Sequence, residues 1–309
     1  MAKLQSTEIV GVANRPATIC SNTVCLWFDT TNLKPMASYC GYGGTGTWST
    51  GGAMIIGRRS LIGAGTQNAG LAAGGSGGTR ACTEEYNGTS WAVGGALATG
   101  RYLSAGAGTQ NVGLIAGGYF STDFSCTEEY NGTSWSSGGA LIIGRRSLTG
   151  AGTQNETFVA GGSNAFTCTE EYNGTSWSAG GALATSRYLA AGAGTQNAGL
   201  VAGGQGISCT EEYNGTSWSA GGALATARYG AGAGTQNEGL VAGGRTSVTV
   251  SCTEEYDGTS WSAGGALANG RYYLAGAGTQ GAGLAFGGNG SVSCTEEYNK
   301  SLQIFDYCL

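Results

Sequence analysis

Short stretches of alternating or continuous apolar residues, each ended by Gly, Asn or Thr-Gln, fill the chain from residue 48 onward. One such set runs as follows. Tyr102–Thr109 is small and alternating, and Val112–Ala116 is apolar before Gly117-Gly118. Cys126–Tyr130 is strand-like, and Thr133–Ser136 follows Asn131-Gly132. Runs of this length with period two, bounded by turn residues, predict strands. Asn-Gly between two of them predicts a hairpin turn, since both residues tolerate positive φ, and Thr109-Gln-Asn111 predicts a second turn. No stretch has the length of a membrane-spanning helix.

The pattern repeats. The segment Cys126–Trp135 recurs at Cys82–Trp91, Cys168–Trp177, Cys209–Trp218 and Cys252–Trp261, and Cys294–Asn299 keeps only its first half. Tryptophans at 48, 91, 135, 177, 218 and 261 give spacings of 43, 44, 42, 41 and 43. A unit this small cannot bury a core alone, so the units must stack into one body. Four short strands per unit of this length is the period of a β-propeller blade.

The residues resemble the kelch repeat: Arg101, then Gly117-Gly118, Glu128, Tyr130 and Trp135, with doublets at 74–75, 117–118, 161–162, 203–204, 243–244 and 287–288. The resemblance covers about residues 48–299 and implies an all-β fold, a six-bladed kelch-type β-propeller with a short N-terminal extension. The expected division is an extension over 1–40 and a propeller over 41–309. Ala-Gly strands suit the crowded axis, where backbones approach closely, and Tyr and Trp suit the wider periphery. The repeated Glu and the Arg opening each unit are natural ion-pair partners within or between blades.

Within the extension, Thr23–Asp29 reads as a strand and Thr30–Pro35 as its turn. It is a docking segment, a strand pair sealing the ring, or a packed extension. Closure is open between two segments. Kelch-like rings often take the last outer strand from the N-terminus, which here is Thr45–Ser49, while Leu302–Phe305 competes for the same edge. Either removes an exposed sheet edge.

Composition narrows the chemistry. Gly is 61 of 309 residues and Pro only 2, which excludes collagen and Pro-rich linkers. Net charge is −5 with no basic run, so a phosphate-tracking nucleic-acid groove is not expected. The first residues lack the apolar core of a signal peptide. The repeat cysteines Cys82, Cys126, Cys168, Cys209, Cys252 and Cys294 are expected as buried small apolar side chains, too far apart to pair. Cys20, Cys25, Cys40 and Cys308 lie outside the repeat, and a bridge from Cys308 to the N-terminal segment is one way to staple the ring.

The chain contains no His. That removes the His-dependent nucleophile arrangements and imidazole metal sites; no phosphate-binding Gly-Lys loop is present. The Glu-Glu pairs are the remaining catalytic candidates, since a glycosidase needs two carboxyls about 5–10 Å apart. Neighbours on a strand point to opposite faces, however, and six copies are not one specialised site. No catalytic residue, metal site or cofactor is expected. Asn-Gly-Thr at 87, 131, 173 and 214 matches the glycosylation pattern but reads as turn chemistry.

The repeats differ from one another mainly in one place. Between the Gly-Gly doublet and the repeat Cys the insert is 6, 7, 5, 4, 7 and 5 residues long, whereas Cys to Trp is always 9 positions. This loop joins the second and third strands and shares a face with the link between blades. Loops on a rigid scaffold are where recognition concentrates. The candidate partner-binding residues are Arg80, Phe120, Asp123, Phe124, Phe166 and Arg245, with Arg59 and Arg146 from the links. Near-identical Gly/Ser/Thr-rich repeats of this kind resemble appendage or surface proteins of tailed bacteriophages. Leu26–Thr31 likewise resembles strand-turn pieces of phage structural proteins. The resemblance implies a non-catalytic virion component (fibre, tail or capsid decoration), assembled in the host cytoplasm. Its partners would be other virion proteins, through residues 1–40, and a host-surface glycan or protein. The alternative is a cellular kelch-type adaptor.

Overall fold

The computed structural model describes residues 24–29, 34–42, 44–77, 80–163 and 167–308. They form two compact units, one of the described residues within 46–299 and one that joins those before 46 with those after 299.

The larger unit is a six-bladed β-propeller. Blade 1 runs Ile62–Thr66, Ala69–Ala73, Thr83–Tyr86 and Trp91–Val93. Blade 2 is Ala105–Gly108, Gly113–Ala116, Thr127–Tyr130 and Trp135–Ser137. Blade 3 is Thr149–Gly152, Thr157–Ala160, Thr169–Tyr172 and Trp177–Ala179. Blade 4 is Ala191–Thr195, Ala198–Ala202, Thr210–Tyr213 and Trp218–Gly221, and blade 5 is Tyr229–Gly234, Gly239–Arg245, Thr253–Tyr256 and Trp261–Gly264. Blade 6 takes Ala275–Gly278, Ala282–Phe286 and Thr295–Asn299 from the end of the repeat region and Thr47–Thr50 from its start. The closing register sets Tyr298 opposite Trp48, as Tyr130 stands opposite Trp135 within blade 2. The N-terminal candidate therefore closes the ring. Its competitor goes elsewhere: Leu302–Cys308 pairs with Lys34–Tyr42, which also pairs with Val24–Asp29. That three-stranded sheet belongs to the smaller unit. Its second strand begins at Lys34, inside the stretch read as a turn, and residues 30–33 lie outside the described ones. The register places Cys308 opposite Met36 and Cys40 opposite Ile304; Cys20 lies outside the described residues.

The alternating Ala-Gly first strands are dictated by the axis. A Cβ on Gly232 would come 2.5 Å from the Gly192 carbonyl oxygen, and one on Gly276 equally close to the Gly232 oxygen. The apolar second strands, such as Leu114–Ala116, are wholly buried between neighbouring blades. Link residues Leu97, Leu141, Leu183, Leu224 and Leu267, with Met54, fill the remaining space.

The repeat motif is used up in holding this ring. The first Glu of each pair meets the buried Arg of its own blade: Arg58–Glu84 at 2.9 Å, Arg145–Glu170 at 3.1 Å, Arg271–Glu296 at 2.9 Å, and likewise Arg101–Glu128, Arg187–Glu211 and Arg228–Glu254. Glu84 also accepts the backbone N–H of Ile55 (2.6 Å), and Arg58 donates to the Gly74 and Cys82 carbonyls, both at 2.7 Å. Such a buried pair is tolerated because these extra bonds satisfy most of its remaining donors and acceptors; the Nε of Arg58, Arg145 and Arg271 alone stay buried without a partner among the described residues. Burial still pulls Arg145 and Arg271 below the ordinary guanidinium range.

The second Glu points to the opposite side of its strand and takes a hydrogen bond from the Tyr hydroxyl of the next blade. Tyr130 donates to Glu85 at 2.6 Å, Tyr172 to Glu129 at 2.5 Å, and Tyr86 of blade 1 to Glu297 of blade 6 at 2.6 Å. Each of these hydroxyls also accepts a glycine N–H, as from Gly95 to Tyr130. Trp135 Nε1 donates to Thr83 Oγ1 across the same boundary at 2.9 Å. Gln154, the blade 3 counterpart of Gln110 in the turn Thr109–Asn111, reaches back one blade to the carbonyls of Gly113 and Tyr130.

Two expectations need correction. The Asn-Gly turn is a four-residue turn in which only the Gly is left-handed (Gly132, φ +89°). Asn131 acts through its side chain, whose Oδ1 accepts the Thr133 and Ser134 N–H groups, and the strand begins at Trp135. The six repeat cysteines are free, but five are half-buried and Cys294 is exposed, rather than buried. The Cys carbonyl joins the framework, as Cys82 O accepts from Gly74 N and from Arg58, and in blade 4 the Cys209 Sγ also accepts from Arg187 at 3.0 Å.

Candidate binding face

An antiparallel four-stranded blade has two ends. The turns within each strand pair lie at one, and the loops between second and third strands lie at the other, with the links between blades. At the loop end the Gly-Gly doublets tie each blade to the next. Both glycines have positive φ in all six copies, which a side chain would strain. Gly75 N then donates to the Arg101 carbonyl of the next blade at 2.8 Å, and Gly118 N to that of Arg145 at 2.9 Å.

Next to the axis, the residue two beyond the buried arginine forms a girdle. Ser60, Leu103, Ser147, Leu189 and Tyr273 all hold φ between 55° and 59°. Non-glycine residues in this region carry a strain of about 1–3 kcal/mol each and persist only when their surroundings fix them. Here the fixing bonds run from blade to blade: Ser60 N to Tyr273 O (2.7 Å), Leu103 N to Ser60 O (2.9 Å), Ser147 N to Leu103 O (2.7 Å) and Leu189 N to Ser147 O (2.8 Å). Blade 5 departs from this pattern. Its counterpart is Gly230, the first strand starts at Tyr229, and the register shifts between Tyr229 and Ala231. The girdle surrounds a cavity of about 120 Å³ lined by Ser60, Leu103, Ser147, Leu189, Tyr229 and Tyr273 among others.

Around this mouth stand arginines seated on aromatic rings. Arg80 lies 4.6 Å from the Phe120 ring centroid and 5.6 Å from that of Tyr102. Arg146 lies 4.4 Å from Tyr119 and pairs with Asp123 at 2.8 Å, and Arg245 lies 5.0 Å from Tyr272. Arg59 is exposed and donates from Nε to Ser76 Oγ at 3.2 Å. The structure thus assembles six of the candidates into three clusters and one exposed guanidinium. Phe124 is placed differently: it is half-buried, with the buried Arg101 5.4 Å from its ring. Phe166 lies outside the described residues.

Sequence reasoning missed the tyrosines. Tyr229 is buried, stacks with Tyr273 at 5.5 Å and meets Tyr272 edge-on at 6.1 Å. Burial, then Tyr273, pushes the Tyr229 hydroxyl up to about 12, so it stays a neutral donor. The signal was in the position after the buried arginine, which reads Arg59, Tyr102, Arg146, Tyr188, Tyr229 and Tyr272 around the ring. Guanidinium groups on aromatic faces suit ligands that combine negative charge with flat or apolar surface.

No family model matches the chain, and no curated protein sequence does. Among solved structures, that of YjhT is similar in fold, with a TM-score of 0.68 and 14% identity over 82% of this chain and 100% of that one. At that identity the likeness concerns the propeller fold alone.

Proposed function

We propose that the protein is a non-catalytic virion structural or adhesion component of a tailed bacteriophage. It would be built of kelch-type repeats and present its loop face to a binding partner. The observation that carries this reading is the division of labour among the repeat's own residues. Every Glu of the repeated pairs has a partner: the first meets the buried Arg, as Glu84 meets Arg58, and the second receives the next blade's Tyr, as Glu85 receives Tyr130. The two carboxylates of a pair diverge to opposite sides of the strand, which does not suit a shared acid–base site. Loops of unequal length gather at the loop end, beside the exposed Arg59, Phe120 and Arg245. A rigid ring whose loops of unequal length share one face is the form of a binding module.

The test is immunogold labelling of phage particles from the source culture, with an antibody shown to recognise the folded propeller. Label on fibres, tail tip or capsid supports the reading and tells attachment from decoration. Unlabelled particles overturn it and favour a cellular kelch-type adaptor, to be sought by capture of a host protein on the loop face.

A further inference from the structure

The two faces of the propeller are unlike in charge. Six of the ten arginines in residues 46–299 are the buried partners of the repeat glutamates. The other four, Arg59, Arg80, Arg146 and Arg245, all lie at the loop end, whose only loop carboxylate is Asp123. The turns at the opposite end contain no Lys or Arg, and three carboxylates are exposed there: Glu156, Glu238 and Asp257. Lys300 follows the last propeller strand and belongs to the smaller unit.

The unlike groups also fall on the same blades. In blade 3, Glu156 precedes the second strand, Thr157–Ala160, and Arg146 is bonded to Ser163 just beyond its other end. In blade 5, Glu238 precedes the second strand and Arg245 ends it. In blade 2, Val112 precedes the second strand, 46% exposed, and Phe120 stands beyond its other end, 50% exposed. Each pair flanks one strand, so its backbone positions lie on opposite faces of the same blade, while the Arg146 guanidinium leans over Tyr119 and Asp123 and that of Arg245 over Tyr272.

We propose that copies of this chain stack head to tail, the loop face of one on the turn face of the next, with like blades in line. Arg146 then turns from Asp123 to Glu156, Arg245 from the Tyr272 ring to Glu238, and Phe120 meets Val112, each from a neighbouring copy. The contact is heterologous, because different patches meet, and a heterologous contact without rotation closure grows as an open filament. Such a stack leaves one loop face free at its end. The inference goes beyond the proposed function and does not depend on it: it rests on the placement of charge within the propeller. Exposed pairs are individually weak and screened by salt, so assembly requires concentrated protein at low ionic strength.

Sedimentation velocity of the full-length chain tests this. The expected result is a mean mass that climbs continuously past that of a dimer as concentration rises at low salt, and returns to that of a monomer at high salt. Arg245→Glu and Glu238→Arg each abolish the climb, and an equimolar mixture of the two variants restores it, because each variant's altered face now complements the other's. Restoration by mixing also shows that neither variant has merely misfolded. A monomer at every concentration, a mass that stops at a dimer, or association unmoved by salt or by charge reversal overturns the proposal.

Discussion

At the turn end of the propeller, Asn87, Asn131, Asn173, Asn214 and Asp257 do the same thing in five blades. Each side-chain oxygen accepts two backbone N–H groups of its own turn. At the loop end, one position carries Arg in two blades and Tyr in four, and the adjoining loops differ in length and content. The difference teaches where the ring is held. Motif residues that bridge blades or cap turns are the same from unit to unit because each serves a joint that recurs around the circle. The loop residues reach past those joints, so they can change without loosening them.

The comparison breaks if the motif residues prove dispensable. Arg101→Ala leaves Glu128 buried without its partner, and losing one member of a buried pair costs about 3–5 kcal/mol. Equilibrium urea unfolding reads this as a large fall in midpoint. Replacing both members, Arg101→Met with Glu128→Leu, is expected to recover much of the loss, since it is the orphaned charge that destabilises.

Next in size is Tyr130→Phe, which removes the hydrogen bond to Glu85 and leaves the Gly95 N–H without an acceptor. A hydrogen bond to a charged group is worth about 1.5–3 kcal/mol. The same latches set an alkaline limit. Burial first, and the neighbouring carboxylate second, push Tyr130, Tyr213 and Tyr256 up to about 12. A tyrosine free in the unfolded chain titrates near 10. Because the folded values are raised, the latches contribute fully below about pH 10, and their contribution is lost as pH rises towards 12. Unfolding midpoints measured across that window should fall in the parent chain and fall less steeply in Tyr130→Phe.

Smaller again is Asn131→Ala, which strips the cap from one exposed turn, an effect of about 0.5–1.5 kcal/mol by thermal unfolding. Smallest is Arg245→Ala at the loop end, expected to shift stability by no more than about 0.5 kcal/mol.

Much of the ring was legible in the sequence because its joints repeat. The Gly-Gly doublets and Trp spacings mark six blades, and the Arg and first Glu of each unit pair as their chemistry suggests. Period-two alternation along Thr83–Tyr86 told that Glu84 and Glu85 diverge, but not that Glu85 ends on Tyr130 in the next blade, a contact set by blade packing. The reach of Gln154 across a blade boundary was hidden for the same reason, since locally it looks like any polar turn residue. The girdle was invisible because Ser60, Leu103 and Tyr273 are not residue types that announce positive φ. The fate of Leu302–Phe305 was undecided because it and Thr45–Ser49 competed for one edge; it pairs instead, within Leu302–Cys308, with Lys34–Tyr42, far away in sequence.

The most direct test of this account sets one buried arginine against four at the loop end. Urea unfolding would be measured for Arg101→Ala and for a chain carrying Arg59→Ala, Arg80→Ala, Arg146→Ala and Arg245→Ala together, under high salt to exclude association. The account predicts that the single buried change lowers the midpoint far more than the four loop-face changes combined. An equal or larger fall in the four-site variant would contradict it, because the loop face would then belong to the framework that holds the ring.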